Sequence, residues 1–348
     1  MSKGKDDALR LPELIRLLAA DLPSVSSGDV ARAAGVTRQA AHYHLSRMVE
    51  NGELLRTGAG RGTRYVRNAD LDRRYPIRGL EEDHVWREAT GALPMIVGAE
   101  PNVRSILTYA FTEMLNNAID HSRGEEARVM AWTSGPFVFE VHDDGVGVYR
   151  HLRERLGLED DLAALQQLVK GRETTAPDRH TGEGIFFTSR AADRFELDAN
   201  GLRWTVDAAR QDHAVGEAPD HPGTRVRWEV DPVTRRALDE VFTPFVDPDS
   251  LRFERTVVPL RLFETEGRFV SRAEAKRLGR SLDRFREAVL DFSGIDEIGQ
   301  GFVDELFRVW ARGHPQTRLV PINMSSVVER IVRRVPDGDP GSDMDPAG

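Results

Sequence analysis

Glu113, Asn116, Asn117 and Asp120 fall at offsets of zero, three, four and seven within the stretch EMLNNAIDHS. In a helix these positions share one face. Two adjacent asparagines are poor helix formers, because their amides compete with the backbone for hydrogen bonds. Such a face is either a solvated surface or a set of groups chosen for chemistry. A carboxamide oxygen can coordinate Mg²⁺, which keeps several waters and bridges phosphates. A carboxylate one turn earlier can polarise a water or hydroxyl that attacks a γ-phosphate. The opposite face carries Phe111, Met114, Leu115, Ala118 and Ile119, which predicts packing against a sheet.

Two later stretches extend this chemistry. VHDDGVGV follows the apolar run FVFEV and contains Asp143-x-Gly145-x-Gly147. Its carboxylate can accept a hydrogen bond from the exocyclic amine of adenine, and its glycines let backbone approach the base. HTGEGIFFTSR places Gly182-x-Gly184 just ahead of a helical pattern, where backbone N–H groups and a helix N-terminus can face phosphates. Each glycine motif alone reads equally well as an ordinary turn. No G-x-x-x-x-G-K-[ST] occurs, so the site is not a P-loop.

The elements that must position these residues follow from periodicity. RSILTYAFTEMLNNAIDHS is predicted helical, and RVMAW, FVFEVHD, FELDAN, LRWTVD and TRVRWEV read as strands. Residues 150–183 form a polar and helical insertion, and residues 68–100 a charged connector ending in an amphipathic segment. Ahead of these, LPELIRLLAA, DVARAAG and RQAAHYHLSRMVENG read as three helices, capped at Ser27 and Thr37 and ended by Gly35 and Gly52. ELLRTGAGRGTRYVR reads as a hairpin. Beyond residue 250, VLDFS and RLVPIN read as strands, and SRAEAKRLGRSLDRFREA, GFVDELFRVWARG and SSVVERIVRRV as helices. The acidic tail PDGDPGSDMDPAG lacks large apolar groups and is expected to be disordered.

In this order the chemical motifs resemble the Bergerat ATP-binding fold of the GHKL superfamily, which includes gyrase, heat-shock chaperone ATPases and histidine kinases. Glu113-x-x-Asn116-Asn117-x-x-Asp120 matches that family's first box, Asp143-x-Gly145-x-Gly147 its second and Gly182-x-Gly184 its third; Gly223-Thr224 precedes the last strand, where the family places a threonine near adenine. The resemblance implies ATP and Mg²⁺ as cofactors, Glu113 as general base, Asn117 as Mg²⁺ ligand and Asp143 as adenine reader. It makes residues 150–183 the ATP lid, with Lys170, Arg172, Arg179, His180 and Thr181 available to phosphates. Asn116 has no distinct assignment. No phosphoacceptor-histidine dimerisation helix precedes this region, which argues against a conventional sensor kinase.

The N-terminal layout resembles bacterial winged helix-turn-helix regulators. That likeness puts Thr37, Arg38, Gln39 and Tyr43 at the start of a recognition helix, where Arg and Gln can read base edges in the major groove. Arg61 and Arg64 lie on the wing, suited to phosphates or the minor groove. Residues 28–67 hold seven arginines against three carboxylates in a chain of net charge −9, so double-stranded DNA is the expected partner; a module used only for protein contacts is the alternative. His42 and His44 are read as packing or surface residues, because no third metal ligand stands at a suitable spacing.

AVLDFSGIDEIGQGFVDELFRVW resembles the strand–loop–helix of STAS domains of the anti-anti-sigma type. Relatives of that type carry a phosphorylated Ser or Thr at the helix start, but here the loop is Ile298-Gly299-Gln300-Gly301-Phe302. A built-in kinase–substrate pair is therefore not expected, Ser293 is read as a turn residue, and the loop as a docking surface for a protein partner.

The predicted fold class is thus multidomain: a winged helix (α with a β-wing) over 1–68, a connector helix over 69–100, an α/β two-layer Bergerat sandwich over 101–232, an α/β STAS-like domain over 233–335, and a tail over 336–348. The absence of cysteine excludes disulfides and thiolate metal sites. No run approaches the roughly 18 apolar residues of a membrane span, and MSKGKDDALR lacks a signal-peptide core, so a cytoplasmic location without membrane contact is expected. By analogy with both families the protein is expected to be a homodimer. Three functions fit: an ATP-dependent DNA-binding regulator that slowly hydrolyses Mg-ATP, an anti-sigma-type protein Ser/Thr kinase, and a non-hydrolysing nucleotide-sensing scaffold in a defence or stress system.

Overall fold

The computed structural model describes residues 11–22, 24–171, 183–247, 250, 252–263, 269 and 271–334. The chain divides into two compact units, Met1–Asp70 and Leu71–Gly348.

In the first unit α1 (Leu11–Asp21), α2 (Ser27–Ala34) and α3 (Arg38–Glu50) are followed by an antiparallel hairpin of β1 (Leu54–Thr57) and β2 (Arg64–Arg67). The cap of α2 is Ser26 rather than Ser27: it forms a reciprocal capping box with Asp29, which the SxxD spacing from 26 to 29 favours. Gly35 ends α2 in the left-handed conformation, with φ 66°. Thr37 Oγ1 accepts from Ala40 N at 3.1 Å and caps α3. Ile15, Val30, Ala41, Leu45, Met48 and Tyr65 form the core, and Val25 pairs with Tyr65 as a short extra bridge.

The second unit is built on β3 (Leu71–Pro76), β4 (Glu126–Trp132), β5 (Phe137–Asp143), β6 (Arg194–Ala199), β7 (Leu202–Asp207), β8 (Asp212–Glu217) and β9 (Thr224–Val230). They form one antiparallel sheet in the order β3-β4-β5-β9-β6-β7-β8. Two of these strands differ from the sequence reading. LDRRYP lies in the presumed connector and carries only Leu71 and Tyr75 inward, while β8 buries no side chain fully. Neither shows the hydrophobic alternation that marks a strand.

On one face of the sheet lie α4 (Glu82–Ala92), α5 (Pro94–Val97), the long α6 (Pro101–His121) and α9 (Gly184–Ala191); α7 (Val148–Leu156) and α8 (Asp161–Lys170) lead from β5 toward α9. Trp86, Phe111, Phe139 and Trp228 stack through this layer, with Phe139 and Trp228 near-parallel at 5.6 Å. The other face is a charge ladder: Arg225 bridges Glu140 at 2.7 Å and Asp198 at 2.9 Å, and Arg203 holds Asp198 at 2.6 Å.

After α10 (Leu238–Phe242), three parallel strands β10 (Arg255–Pro259), β11 (Glu287–Asp291) and β12 (Arg318–Ile322) alternate with α11 (Arg272–Gly279), α12 (Gln300–Val303), α13 (Ala311–Gly313) and α14 (Ser326–Val332). The helix from Gln300 to Gly313 is continuous through a π segment at Asp304–Trp310. The presumed long helix over SRAEAKRLGRSLDRFREA stops at Gly279, where the backbone leaves the helical region at Arg280 (ψ 131°) and Ser281 turns left-handed at φ 64°; Trp310 packs where a Cβ at Gly279 would sit. Phe186 and Phe187 of α9 meet Phe253 at 4.6 and 5.1 Å, so the C-terminal strands share one hydrophobic core with the main sheet. Among the described residues no helix is long and apolar enough to cross a membrane.

Candidate nucleotide site

The inner face of the sheet and the helix layer above it bring most of the predicted residues together. Along β5, Phe137, Phe139 and Val141 point inward and Asp143 ends the same face. The Asp143 carboxylate is only 5% exposed. Its Oδ1 accepts from Gly145 N at 2.9 Å and from Thr224 N at 3.2 Å. Burial raises its pKa to about 6, against the lowering effect of those two N–H donors. Thr224 Oγ1 in turn accepts from Val148 N at 3.0 Å, so the β5–α7 loop and the start of β9 are tied at one point.

On α6, Glu113, Asn116 and Asn117 are half-buried and Asp120 is exposed. Asn117 Nδ2 is buried without a hydrogen-bond partner. A buried orphan donor costs about 1–3 kcal/mol, so this side chain is suited to an acceptor supplied by a ligand. Gly184, the first residue of α9, backs onto the Glu113 carboxylate so closely that a Cβ there would overlap Oε2. Glu183 and Glu113 also face Tyr109, whose phenol is pushed up first by burial and then by these two carboxylates.

The glycines of the second motif are also required by packing. A Cβ at Gly145 would overlap the Ser122 carbonyl at the end of α6, and Gly147, at φ 83°, has no room beside the Asn200 carboxamide. Gly223, at φ 71°, similarly backs onto the Asp143 carbonyl. Their absent side chains let protein pack on protein, which fixes the loop around Asp143. Asn200 completes that loop from fifty residues away, receiving Arg150 N at 3.0 Å and donating to Val146 O at 3.0 Å. Sequence reasoning missed Asn200, Ser122 and Tyr109. Only Asn200 carried a signal, as the Asn-Gly turn between two predicted strands.

The chain's regions match two family models. Residues 81–209 match the histidine kinase-like ATPase domain and residues 274–329 a STAS-like domain of unknown function (DUF4325). The chain therefore contains a GHKL-type ATPase domain. A search of curated proteins gives no match.

Within the ATPase domain, one predicted residue among the described ones lies apart from the cluster. Lys170 is the last residue of α8 and is fully buried: Nζ donates to Arg280 O at 2.7 Å and to Gln167 Oε1 at 3.2 Å, and lies 5.2 Å from the Phe263 ring. It is committed to the STAS-like half, not turned toward a phosphate. Arg172, Arg179, His180, Thr181 and Gly182 lie outside the described residues, as does the acidic tail. The same helix, α8, is anchored further by Gln166 Nε2 donating to Leu262 O at 3.0 Å and by Thr256 Oγ1 donating to Lys170 O at 2.7 Å.

In the STAS-like domain Ser293 donates its N–H and hydroxyl to Asp291 Oδ1 at 2.9 and 2.7 Å, closing a turn. Gln300 is exposed at the start of α12. In the N-terminal unit Thr37, Arg38, Gln39, Tyr43, Arg61 and Arg64 are all exposed. Tyr43 is 57% exposed, with the Arg47 guanidinium 6.0 Å from its ring. His42 Nδ1 pairs with the Tyr65 hydroxyl at 3.0 Å, and among the described residues no three His, Asp or Glu side chains form a metal-binding group.

Proposed function

We propose that the protein is an ATP-dependent DNA-binding regulator. The observation that carries the nucleotide half is the buried Asn117 Nδ2, without a partner among the described residues and suited to a phosphate oxygen, one turn from a Glu113 held against the start of α9. The donor set fits Mg-ATP: amide and carboxylate oxygens suit a hard divalent cation that keeps waters and phosphate oxygens as its remaining ligands. Asn117 would hold the metal, and Asp143, with Thr224 beside it, would hold the adenine amine. Mg²⁺ supplies charge neutralisation at the phosphates. Glu113 serves as the base, taking a proton from the attacking water. Its half-buried place against the start of α9 suits it to that role.

The winged helix-turn-helix reading of the N-terminal unit rests on three helices, the second and third of them capped, a hairpin and an exposed row of Thr37, Arg38, Gln39 and Tyr43 at the start of α3. Double-stranded DNA is the partner this surface suits. The STAS-like half relays nucleotide state to a protein partner or second protomer, through α8 and its anchors Gln166, Lys170 and Thr256. A cytoplasmic homodimer is the working assembly.

The deciding measurement is phosphate release from labelled ATP with wild type beside Glu113→Ala. Free phosphate formed by wild type and lost in the variant supports hydrolysis; equal rates remove Glu113 from the mechanism. Label transferred to protein instead would make the site a protein kinase.

A further inference from the structure

A second cavity, of about 540 Å³, opens between the ATPase domain and the C-terminal strands. Its volume is in the range of small-molecule sites. Arg190, at the last turn of α9, lies on its wall. The guanidinium packs 3.4 Å from the centroid of Phe186 and 5.3 Å from that of Phe245. It donates to Phe186 O at 3.2 Å and Val257 O at 3.3 Å, and contacts Ser189 Oγ at 3.4 Å.

The charges around it are unequally matched. Arg236 pairs with Asp193, and Arg261 with Asp212. Of the acids on the wall, Asp207 holds Arg210, Glu240 caps Ala237, and Asp291 takes Ser293 and Asn323. Among the described residues Arg190 alone of these arginines has neutral partners only, and its charge survives at neutral pH although burial lowers its pKa to about 9. Beside it His213 Nδ1 is buried with no partner. That imidazole is neutral, its pKa pushed down to about 3 chiefly by burial and then by Arg190. An unmatched guanidinium and an orphaned ring nitrogen on one cavity wall both call for a ligand, the first for negative charge.

We propose that this cavity binds a small organic anion, a carboxylate or phosphate ester, whose charge meets Arg190 and whose body rests on Phe245 and reaches His213. An occupant would touch both halves of the unit. It would also sit on α9, whose eight residues span about 12 Å between Arg190 and the Gly184–Glu113 contact. The site is separate from the nucleotide residues and does not depend on their assignment.

Saturation-transfer NMR on the full chain, with phenyl phosphate, benzoate and neutral benzyl alcohol as probes, tests this. Mg²⁺ and a non-hydrolysable ATP analogue are present throughout to occupy any nucleotide site. The expected result is binding of phenyl phosphate or benzoate but not benzyl alcohol, weakened at least about tenfold by Arg190→Gln, the loss of a charged hydrogen bond. Ala208→Phe, which fills the cavity from a half-buried wall position, is expected to weaken it equally and decides alone if Arg190→Gln does not fold. The anion that binds identifies the ligand class. The proposal is overturned if neither anion binds wild type, if benzyl alcohol binds as well as they do, or if Ala208→Phe binds as wild type does.

Discussion

Gly184 and Glu113 are in such close apposition that no side chain fits between them: a Cβ on the glycine would overlap the glutamate Oε2 and crowd its Cβ. The worst overlap is with the flexible carboxylate, which can swing away, while the Glu113 Cβ must give by only a few tenths of an ångström. Gly184→Ala is therefore expected to leave the fold intact by circular dichroism while displacing the carboxylate. A misplaced base forfeits about 10²–10⁴-fold of general-base catalysis. Phosphate release should fall toward the level of Glu113→Ala. Wild-type turnover in a folded Gly184→Ala would show that the position of Glu113 is irrelevant to the reaction.

Asp143 gives the site a pH dependence. Burial holds its pKa at about 6, above the ordinary 3.8. The sign follows: the protonated form is favoured in the free protein, so this group's contribution to stability is fully present below pH 3.8 and lost as pH rises through about 6. An adenine amine needs the carboxylate as acceptor, so affinity moves the other way. Nucleotide binding should weaken about tenfold between pH 7.5 and pH 5, measured by calorimetry. In Asp143→Asn the affinity should be weaker and flat over the same range; a wild-type profile that is equally flat would remove Asp143 from base recognition.

Much of this site was legible because its chemistry is local in sequence. Glu113, Asn116 and Asn117 announce themselves by helical spacing, and Asp143 by its place at the end of an apolar strand. What was not legible depends on long-range packing. Asn200 is recruited to the Asp143 loop by a hairpin tip whose own sequence says only that the chain turns there. Lys170 looked like a phosphate ligand because a lysine in a polar stretch is normally solvated. Nothing local tells that the STAS-like half provides the Arg280 carbonyl 110 residues later. The edge strands β3 and β8 escaped for a related reason: their pairing comes from neighbours, while their side chains are mostly turned outward.

The burial of Lys170 separates two roles. If its ammonium serves the C-terminal half, Lys170→Met should change nucleotide affinity by less than about threefold, the scale of a distant, uncoupled site. A loss above about tenfold would restore the phosphate role, since a charged hydrogen bond contributes about 1.5–3 kcal/mol. The companion variant Thr256→Val keeps shape but strips the hydroxyl from the Lys170 carbonyl, 2.7 Å away in a buried seam. It should lower stability by about 1–3 kcal/mol in urea denaturation with nucleotide affinity unchanged. Unaltered stability would mean that this anchor of α8 contributes nothing to the seam.

DNA recognition makes two separable demands on the N-terminal unit. Arg38 and Gln39 stand on the first turn of α3, exposed and ahead of the buried Ala41 and Leu45, where side chains of a recognition helix reach base edges. Arg61 and Arg64 lie on the hairpin and are exposed, so they suit phosphates. Gln39→Ala should cost about 1–3 kcal/mol on a selected duplex and little on random sequence, because it removes readout rather than charge. Arg61→Ala should instead weaken both duplexes alike and reduce the slope of log affinity against log salt by about 0.9, the counterions released by one phosphate contact. Fluorescence anisotropy from low to high salt measures both. If the slope stays at its wild-type value in the Arg61→Ala, Arg64→Ala double variant, the hairpin does not touch DNA. If Gln39→Ala weakens random and selected duplexes equally, α3 is not the reading element.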